Sequence, residues 1–356
     1  MMGFAALNPS YALAIMSIVM SRRAILSALI AIFATATAAA PVEQQVTFTG
    51  AGGITLAGTL VLPESASADR PVPALLLIQG SGPTDRDGNQ LPNLRTDLLR
   101  QIAQLLAEQN VASLRYDKRG MHANSASLPK QADDLAEFFG WTALIGDARA
   151  AFATLAAHPA VLPARVGILG HSEGGLIALD VGRTVPQPKL LILASTAGRP
   201  LGDVIHDQLS ALLERQRATA EQRKFFLDAD ARIRAHILAT GQVPSDVPGG
   251  VAALYPKYLG PFYQSVLALD PAALAAEFKG PILVINGAAD IQVSASRDAP
   301  RFTSALAGRS DGSEVFTPAG VSHNLKTVAA NNDQGFAGPV DESVREIITR
   351  WLRDML

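Results

Sequence analysis

Short, mostly apolar segments that alternate with helical ones constrain the fold of this sequence more than any other feature. Four such segments are each followed within two residues by glycine or a polar residue: residues 73–78, 165–169, 190–194 and 281–286. A strand that lacks polar alternation is buried on both faces, which is typical of a parallel sheet covered by helices. Between and after these four segments, apolar residues recur with helical spacing at residues 94–110, 141–157, 174–182 and 341–356. The pattern predicts an α/β fold with a mostly parallel sheet.

Four further strands complete a predicted eight-stranded sheet, at residues 46–48, 54–62, 111–116 and 313–316. The first two flank a glycine-rich turn and are predicted to form a hairpin. The alternation stops between residues 200 and 278, where helical segments at 208–220 and 222–240 are broken by prolines and glycines. We therefore expect a core domain in two parts, residues 41–199 and 279–356, with a helical cap at 200–278 inserted between them.

The composition excludes several classes of protein. The chain has 356 residues, of which 48% are hydrophobic and 17% charged, so it has enough apolar material for one large core. A net charge of −2 gives no electrostatic basis for binding nucleic acid. Cysteine is absent, which excludes disulfides, thiolate metal sites and a cysteine nucleophile. A protein acting on a small molecule fits these properties.

The first forty residues have the pattern of an export signal. Arg22-Arg23 precedes an uncharged apolar stretch, and a run of small residues at 34–40 follows it. This order is typical of a cleaved signal peptide, with the cut expected before Ala39, and the paired arginines also resemble a twin-arginine signal. Translation starting at Met20 would explain the apolar residues before it. We expect an exported, periplasmic or secreted protein with no stable membrane insertion after cleavage; an uncleaved membrane anchor is the alternative.

A serine flanked by glycines follows the strand predicted at residues 165–169. Residues 170–174 read Gly-His-Ser-Glu-Gly, and a helix is predicted to begin directly after Ser172. A sharp turn from strand to helix leaves no room for side chains beside the serine, which explains both glycines. The turn exposes the hydroxyl above the sheet and directs the N-terminus of the helix at any oxyanion formed there. Ser172 is therefore the predicted nucleophile.

With this motif the chain resembles the α/β-hydrolase superfamily. Within it, the chain is similar to bacterial exported esterase-like and serine-aminopeptidase-like members that carry two further segments. These segments are Gly-Ser-Gly-Pro-Thr-Asp-Arg-Asp-Gly, at residues 80–88, and Asp-Lys-Arg-Gly, at residues 117–120. The resemblance covers residues 46–356 and is weakest in the cap. It implies an α/β-hydrolase fold and a nucleophile, an acid and a histidine in that chain order.

The base and its orienting carboxylate follow from this order. Of the six histidines, His206, His236 and His323 come after the nucleophile motif, and only His323 follows the last predicted strand. Asp290 follows the preceding predicted strand directly. His323 would take the proton of Ser172, and Asp290 would hold the imidazole. Asp270 and Asp298 compete with Asp290 but do not follow a strand.

The oxyanion would be held by two backbone amides, as the resemblance implies. One belongs to Glu173, the residue after the nucleophile. The other belongs to the loop at residues 79–82, where the amide of Ser81 is preferred and that of Gly80 is the alternative. Many relatives have histidine where this chain has Gln79, a departure of little consequence if only the backbone donates.

Two further motifs have structural interpretations. The segment at residues 85–89 superficially resembles a calcium loop but lacks the required glycine and glutamate positions. We expect it to form a polar loop at the site entrance, held by Asp–Arg pairs within it. The segment at residues 117–120 is expected to support the oxyanion loop, since Arg119 can grip a carboxylate with two bonds; substrate binding by Arg119 is the alternative. No phosphate loop, dinucleotide motif or zinc motif occurs, so we predict no cofactor and no metal.

The resulting hypothesis is a serine hydrolase that cleaves small carboxylic esters through an acyl-enzyme. A serine aminopeptidase-like amide hydrolase, and an acyltransferase or thioesterase, are the alternatives within the same chemistry. A peptidase would need an acidic group for the substrate amine, and Asp203, Asp207 or Glu214 in the cap are candidates. The aromatic residues of the cap have two interpretations: they line an acyl pocket, or they pack the cap onto the sheet. These residues are Phe225, Phe226, Tyr255, Tyr258, Phe262 and Tyr263. A non-enzymatic binding protein is disfavoured, because binding alone would not require all three catalytic residues.

Overall fold

A single eight-stranded sheet forms the centre of the protein in a computed structural model that describes residues 41–184, 186–329 and 334–356. The strands are β1 (Val42–Thr49), β2 (Thr55–Leu62), β3 (Val72–Ile78), β4 (Ala112–Tyr116), β5 (Val161–His171), β6 (Leu191–Ala194), β7 (Ile282–Ile285) and β8 (Glu314–Phe316). Their order across the sheet is β1-β2-β4-β3-β5-β6-β7-β8. Strand β2 pairs antiparallel with β1 and β4, and all the other pairs are parallel. The predicted hairpin and the mostly parallel eight-stranded sheet are both confirmed.

Helices cover both faces of the sheet and fill the interval between β6 and β7. They are α1 (Leu98–Glu108), α2 (Leu135–Phe138), α3 (Trp141–Ala156), α4 (Glu173–Val181), α5 (Leu201–Arg215), α6 (Ala220–Thr240), α7 (Gly260–Leu267), α8 (Pro271–Glu277), α9 (Ala295–Ala305) and α10 (Glu342–Met355). Helices α3 and α4 pack on one face of the sheet, and α1 and α10 pack on the other. The strands between them are buried on both faces, as their continuous apolar sequence requires.

Helices α5 to α8 occupy the interval in which a cap is predicted. Helices α5 and α6 share a small apolar core of their own, which includes Leu209, Leu213, Ile233 and Ile237. Helices α7 and α8 instead contribute Phe262 and Leu274 to the core beneath the sheet. These helices lie between β6 and β7. The cap as a separate domain, with boundaries at 200 and 278, stays a prediction.

Two of the predicted helices have different bounds in the structure. The helix expected at residues 94–110 begins only at Leu98, because the side chain of Asn89 accepts the backbone N–H groups of Thr96 and Asp97, 2.8 Å each. Asp97 is held there with a φ of 49°. The helix expected at 208–220 spans Leu201–Arg215 instead, and a capping box formed by Thr219 and Gln222 starts the next one. Local side-chain bonds override the apolar periodicity at both places.

The predicted signal region, residues 1–40, and the alternative start at Met20 lie outside the described residues. Export therefore stays a prediction. Within residues 41–184, 186–329 and 334–356, no helix is long and apolar enough to cross a lipid bilayer.

Candidate active site

Ser172 lies in a strained turn between β5 and α4. The strand ends at His171, the helix begins at Glu173, and Ser172 has φ 56° and ψ −120°. A Cβ at Gly170 would overlap the backbone of Gly174, and a Cβ at Gly174 would overlap the carbonyl of Ile78. Both positions therefore require glycine. The strain marks Ser172 as a residue that the surrounding structure holds in place, which is typical of functional positions.

Asp290 and His323 meet at the same end of the sheet, after β7 and β8. His323 Nδ1 lies 2.7 Å from Asp290 Oδ2, and their side chains are 7% and 0% exposed. The other oxygen, Oδ1, accepts the backbone N–H groups of Gln292 (2.7 Å) and Val293 (2.9 Å). Because a carboxylate only accepts hydrogen bonds, the proton lies on Nδ1 and leaves Nε2 of His323 able to accept one. This is the tautomer that a general base needs.

His171 joins the nucleophile turn to the loop that carries His323. Its Nε2 donates to the backbone carbonyl of His323 at 2.8 Å, and the two rings are 4.9 Å apart between centroids. The structure thus places His323 against the residue that precedes Ser172. Burial, and after it the neighbouring His323, lower the pKa of His171 to about 3. His171 is therefore a neutral donor that fixes the His323 backbone.

We expect His171→Gln to flatten the acid dependence of stability. The folded-state pKa of His171 is about 3 and its ordinary value is 6.5. Between these pH values the unfolded chain binds a proton that the folded chain does not, so the free energy of unfolding falls as the pH falls. Glutamine removes this titration, and the slope between pH 6.5 and 4.5 should become shallower by up to about 1.4 kcal/mol per pH unit.

Urea unfolding followed by circular dichroism at several pH values would measure this slope. His206→Gln, which changes an exposed histidine of α5, is the matched control. Equal slopes in the wild type and His171→Gln would contradict this, because they would show that His171 binds its proton over the same pH range in the folded protein as in the unfolded chain.

The two predicted oxyanion donors lie in segments next to Ser172. A Cβ built on Gly80 would lie 3.2 Å from Cβ of Ser172, so this loop packs directly against the nucleophile turn. In the described part of the chain, the amide N–H groups of Ser81 and Glu173 donate to no other group. The same holds for Gly80, so the alternative donor stays open. The amides are free to bind a developing negative charge.

Lys118, rather than Arg119, supports this loop. The Nζ atom of Lys118 donates to the carbonyl of Gly80 at 2.7 Å and to Glu173 Oε1 at 2.9 Å. Arg119 turns away and forms two 2.7 Å bonds to Asp147 on α3. The segment at residues 117–120 therefore supports the oxyanion loop as predicted, but through Lys118. Arg119 grips a carboxylate with two bonds as predicted, yet away from the loop, because adjacent side chains after a strand point in opposite directions.

The polar loop at residues 85–89 is held differently from the prediction. Arg86 pairs with Asp117 and Asp87 pairs with Arg115, both at 2.7 Å. Pairs within the loop do not form, because the carboxylate of Asp85 accepts the backbone N–H groups of Asp87 and Asn89. The loop is thus tied to β4 and to the residue that follows it.

The competing acids and histidines have other partners or positions. Asp298 is fully buried and pairs with Arg199, whereas Asp270 caps the N-terminus of α8. His206 and His236 lie exposed on cap helices. Among the described residues, no cluster of three or more acidic or histidine side chains has the arrangement of a metal site.

The aromatic residues of the cap divide into packing residues and residues near the site. Tyr255 is buried and bonded to Asp230 inside the cap, and Phe262 packs against Trp141 in the core. Phe225 is 56% exposed, and Phe226 packs in the cap core. Tyr263 lies closer to the nucleophile turn: burial, and after it the charge of Glu173, raise its pKa to about 12.

The surroundings of Tyr263 also include Tyr258. Tyr258 is 37% exposed and packs against Phe139, with ring centroids 5.8 Å apart. The hydroxyl of Tyr263 donates to the backbone carbonyl of Leu254 at 2.7 Å, within the cap.

Comparisons with known proteins show that the chain is similar to hydrolases. Residues 95–241 match the family described as "Serine aminopeptidase, S33". Over 318 residues, 87% of this chain and 67% of the relative, the chain is 27% identical to Esterase EstD of Thermotoga maritima.

Two solved structures share the fold. Est1E from Butyrivibrio proteoclasticus has a TM-score of 0.53 and 15% identity over 88% of this chain and 99% of that chain. A puromycin-hydrolyzing peptidase of Mycobacterium tuberculosis has a TM-score of 0.52 and 17% identity over 88% of this chain and 38% of that chain. At these identities the likeness shows the fold alone.

Proposed function

We propose that this chain, a member of the α/β-hydrolase superfamily, hydrolyses carboxylic esters of small substrates through an acyl-enzyme on Ser172. The observation that carries the proposal is the buried 2.7 Å pair of His323 and Asp290, packed against the turn that presents Ser172. All three residues follow strands whose carboxyl ends meet at one edge of the sheet. Sites of open α/β sheets lie at this edge.

The proposed reaction begins with attack of Ser172 Oγ on the ester carbonyl carbon. His323 Nε2 takes the hydroxyl proton, and Asp290 stabilises the imidazolium that results. The carbonyl oxygen becomes an oxyanion and accepts hydrogen bonds from the amides of Ser81 and Glu173. The carbon–oxygen bond to the leaving group then breaks, and His323 returns the proton to the departing alcohol. Water activated by His323 attacks the acyl-enzyme, releases the acid and restores Ser172.

Ester cleavage is favoured over cleavage of an N-terminal peptide bond because carboxylates that could hold a substrate amine are already paired with cations. Asp207, a candidate for holding a substrate amine, already binds both Arg199 and Arg297. Glu173, beside the nucleophile, is paired with Lys118. Asp203 and Glu214 are exposed on α5. A protonated amine would have to displace a bound cation at either of the first two carboxylates, which costs affinity.

An amide-cleaving activity is the second candidate. The match of residues 95–241 to the family described as "Serine aminopeptidase, S33" favours it. The similarity to a protein named Esterase EstD favours the first candidate.

A panel of p-nitrophenyl acyl esters and aminoacyl p-nitroanilides separates the two. We expect kcat/KM for the better esters to exceed that for every nitroanilide by at least about 10²-fold, because an alkoxide or phenoxide leaves without protonation more readily than an amine. Acetyl to decanoyl esters would define the acyl preference. A nitroanilide turned over as fast as the best ester would reverse the assignment in favour of the peptidase.

A further inference from the structure

A buried lysine lies beside the proposed oxyanion site without belonging to the catalytic triad. Lys118 follows β4 and is 7% exposed. Both of its hydrogen bonds, to the Gly80 carbonyl and to the Glu173 carboxylate, are charge-assisted. A buried ammonium is costly unless it is paired and hydrogen-bonded, and Lys118 meets both conditions.

The two partners of Lys118 belong to the two segments that supply the proposed oxyanion donors. Gly80 shares a peptide group with Ser81, and Glu173 supplies its own amide. These segments come from loops after β3 and β5, which are neighbours in the sheet. One side chain therefore ties both halves of the proposed oxyanion hole together.

Through the peptide group between Gly80 and Ser81, the ammonium of Lys118 acts on the Ser81 N–H. The only cis bond in the described residues is Leu91–Pro92, so the Gly80–Ser81 peptide is trans and planar. The Gly80 C=O and the Ser81 N–H then point in opposite directions. A cation bound to the C=O side fixes the direction of the N–H and polarises it. The Ser81 amide becomes a stronger and better aligned donor.

We propose that Lys118 is a positioning residue that orients and polarises the Gly80–Ser81 peptide for stabilisation of the oxyanion. The proposal rests on the ester hydrolysis proposed above. Lys118 also offsets the negative charge of Glu173, which would otherwise repel an oxyanion formed next to it. Lys118 does not contact the reacting atoms and acts through the backbone.

Lys118→Met removes the ammonium and keeps most of the side-chain volume. We expect kcat per active site to fall about 10²-fold, the loss typical of one oxyanion donor, with KM changed less than threefold. Arginine keeps the cation, so Lys118→Arg should recover at least about tenfold of this loss. Lys130→Met, at an exposed lysine, is the matched control. Active sites are counted with a fluorophosphonate probe, so that unfolded protein does not enter the rate.

Inhibitor binding distinguishes this role from a merely structural one. A trifluoromethyl ketone forms a hemiketal oxyanion on the serine, whereas the parent methyl ketone binds largely unreacted. In Lys118→Met the inhibition constant of the trifluoromethyl ketone should rise in proportion to the loss of kcat/KM, and that of the methyl ketone should stay constant. If Lys118→Met does not fold, Lys118→Gln, which keeps a neutral donor of nearly the same reach, is measured instead.

Three results would overturn the proposal. These are a kcat within threefold of the wild type, an equal loss of affinity for both ketones, and recovery of the wild-type rate in Lys118→Met/Glu173→Gln. The last would show that Lys118 only balances the charge of Glu173.

The wild type and Ser172→Ala are assayed on the same esters. An inactive wild type would overturn the proposed function together with this inference, whereas an active wild type with an equally active Lys118→Met would overturn only the latter.

Discussion

Ser172→Ala is expected to lower kcat for p-nitrophenyl esters by about 10⁶-fold, the size of effect seen when a serine nucleophile is removed. Alanine cannot form the acyl-enzyme, and the remaining rate would come from binding and the backbone donors alone. The turn around residue 172 is maintained by Gly170, Gly174 and the bond from its own N–H to the Ala194 carbonyl, 2.8 Å. The variant should therefore fold like the wild type.

Purified protein assayed with a chromogenic ester, and labelled in parallel with a fluorophosphonate probe, would measure both effects. Ser304→Ala, at an exposed serine of α9, serves as the control and should keep full activity and labelling. Undiminished turnover by Ser172→Ala would mean that another group carries the reaction.

Asp290→Asn is expected to lower kcat by about 10⁴-fold with little change in KM. The asparagine amide would donate to His323 Nδ1 in place of accepting from it. The imidazole proton would then lie on Nε2, the atom that has to take the proton of Ser172. The other oxygen of Asp290 also holds the backbone of Gln292 and Val293, and the asparagine oxygen retains these bonds.

Steady-state kinetics on the same ester would measure this loss. Asp270→Asn is the matched control, since Asp270 caps α8 and asparagine is a good N-cap. Its kcat/KM should stay within about twofold of the wild type. Equal activities in Asp290→Asn and the wild type would exclude Asp290 as the partner of the base.

The strands were accessible from the sequence because apolar periodicity reports burial directly. Runs such as residues 190–194 have no polar face, and only a sheet covered on both sides buries them. Helix ends were less accessible. The start of α1 at Leu98 depends on Asn89, which lies in a preceding loop and bonds to the backbone of Thr96 and Asp97. No pattern within residues 94–110 carries that information.

The candidate site could be predicted in part. The flanking glycines predict Ser172 as the nucleophile, and the positions of Asp290 and His323 after successive strands predict them as its partners. The pairing of Asp290 with His323 was expected, and the structure shows it. The role of His171 was not expected, because a histidine inside the nucleophile motif gives no sequence signal that its ring reaches the His323 carbonyl.

The sequence by itself determined which residue types stand at the ends of the strands, since strand periodicity and the glycines around Ser172 depend only on local geometry. Tertiary structure alone decided which charged group faces which segment. Lys118 and Arg119 are neighbours in the chain, yet one binds Gly80 and Glu173 and the other binds Asp147. The reason is physical: a side chain can be paired only with what the packed elements bring within hydrogen-bonding distance, about 3 Å. That distance is set by the fold of the whole chain.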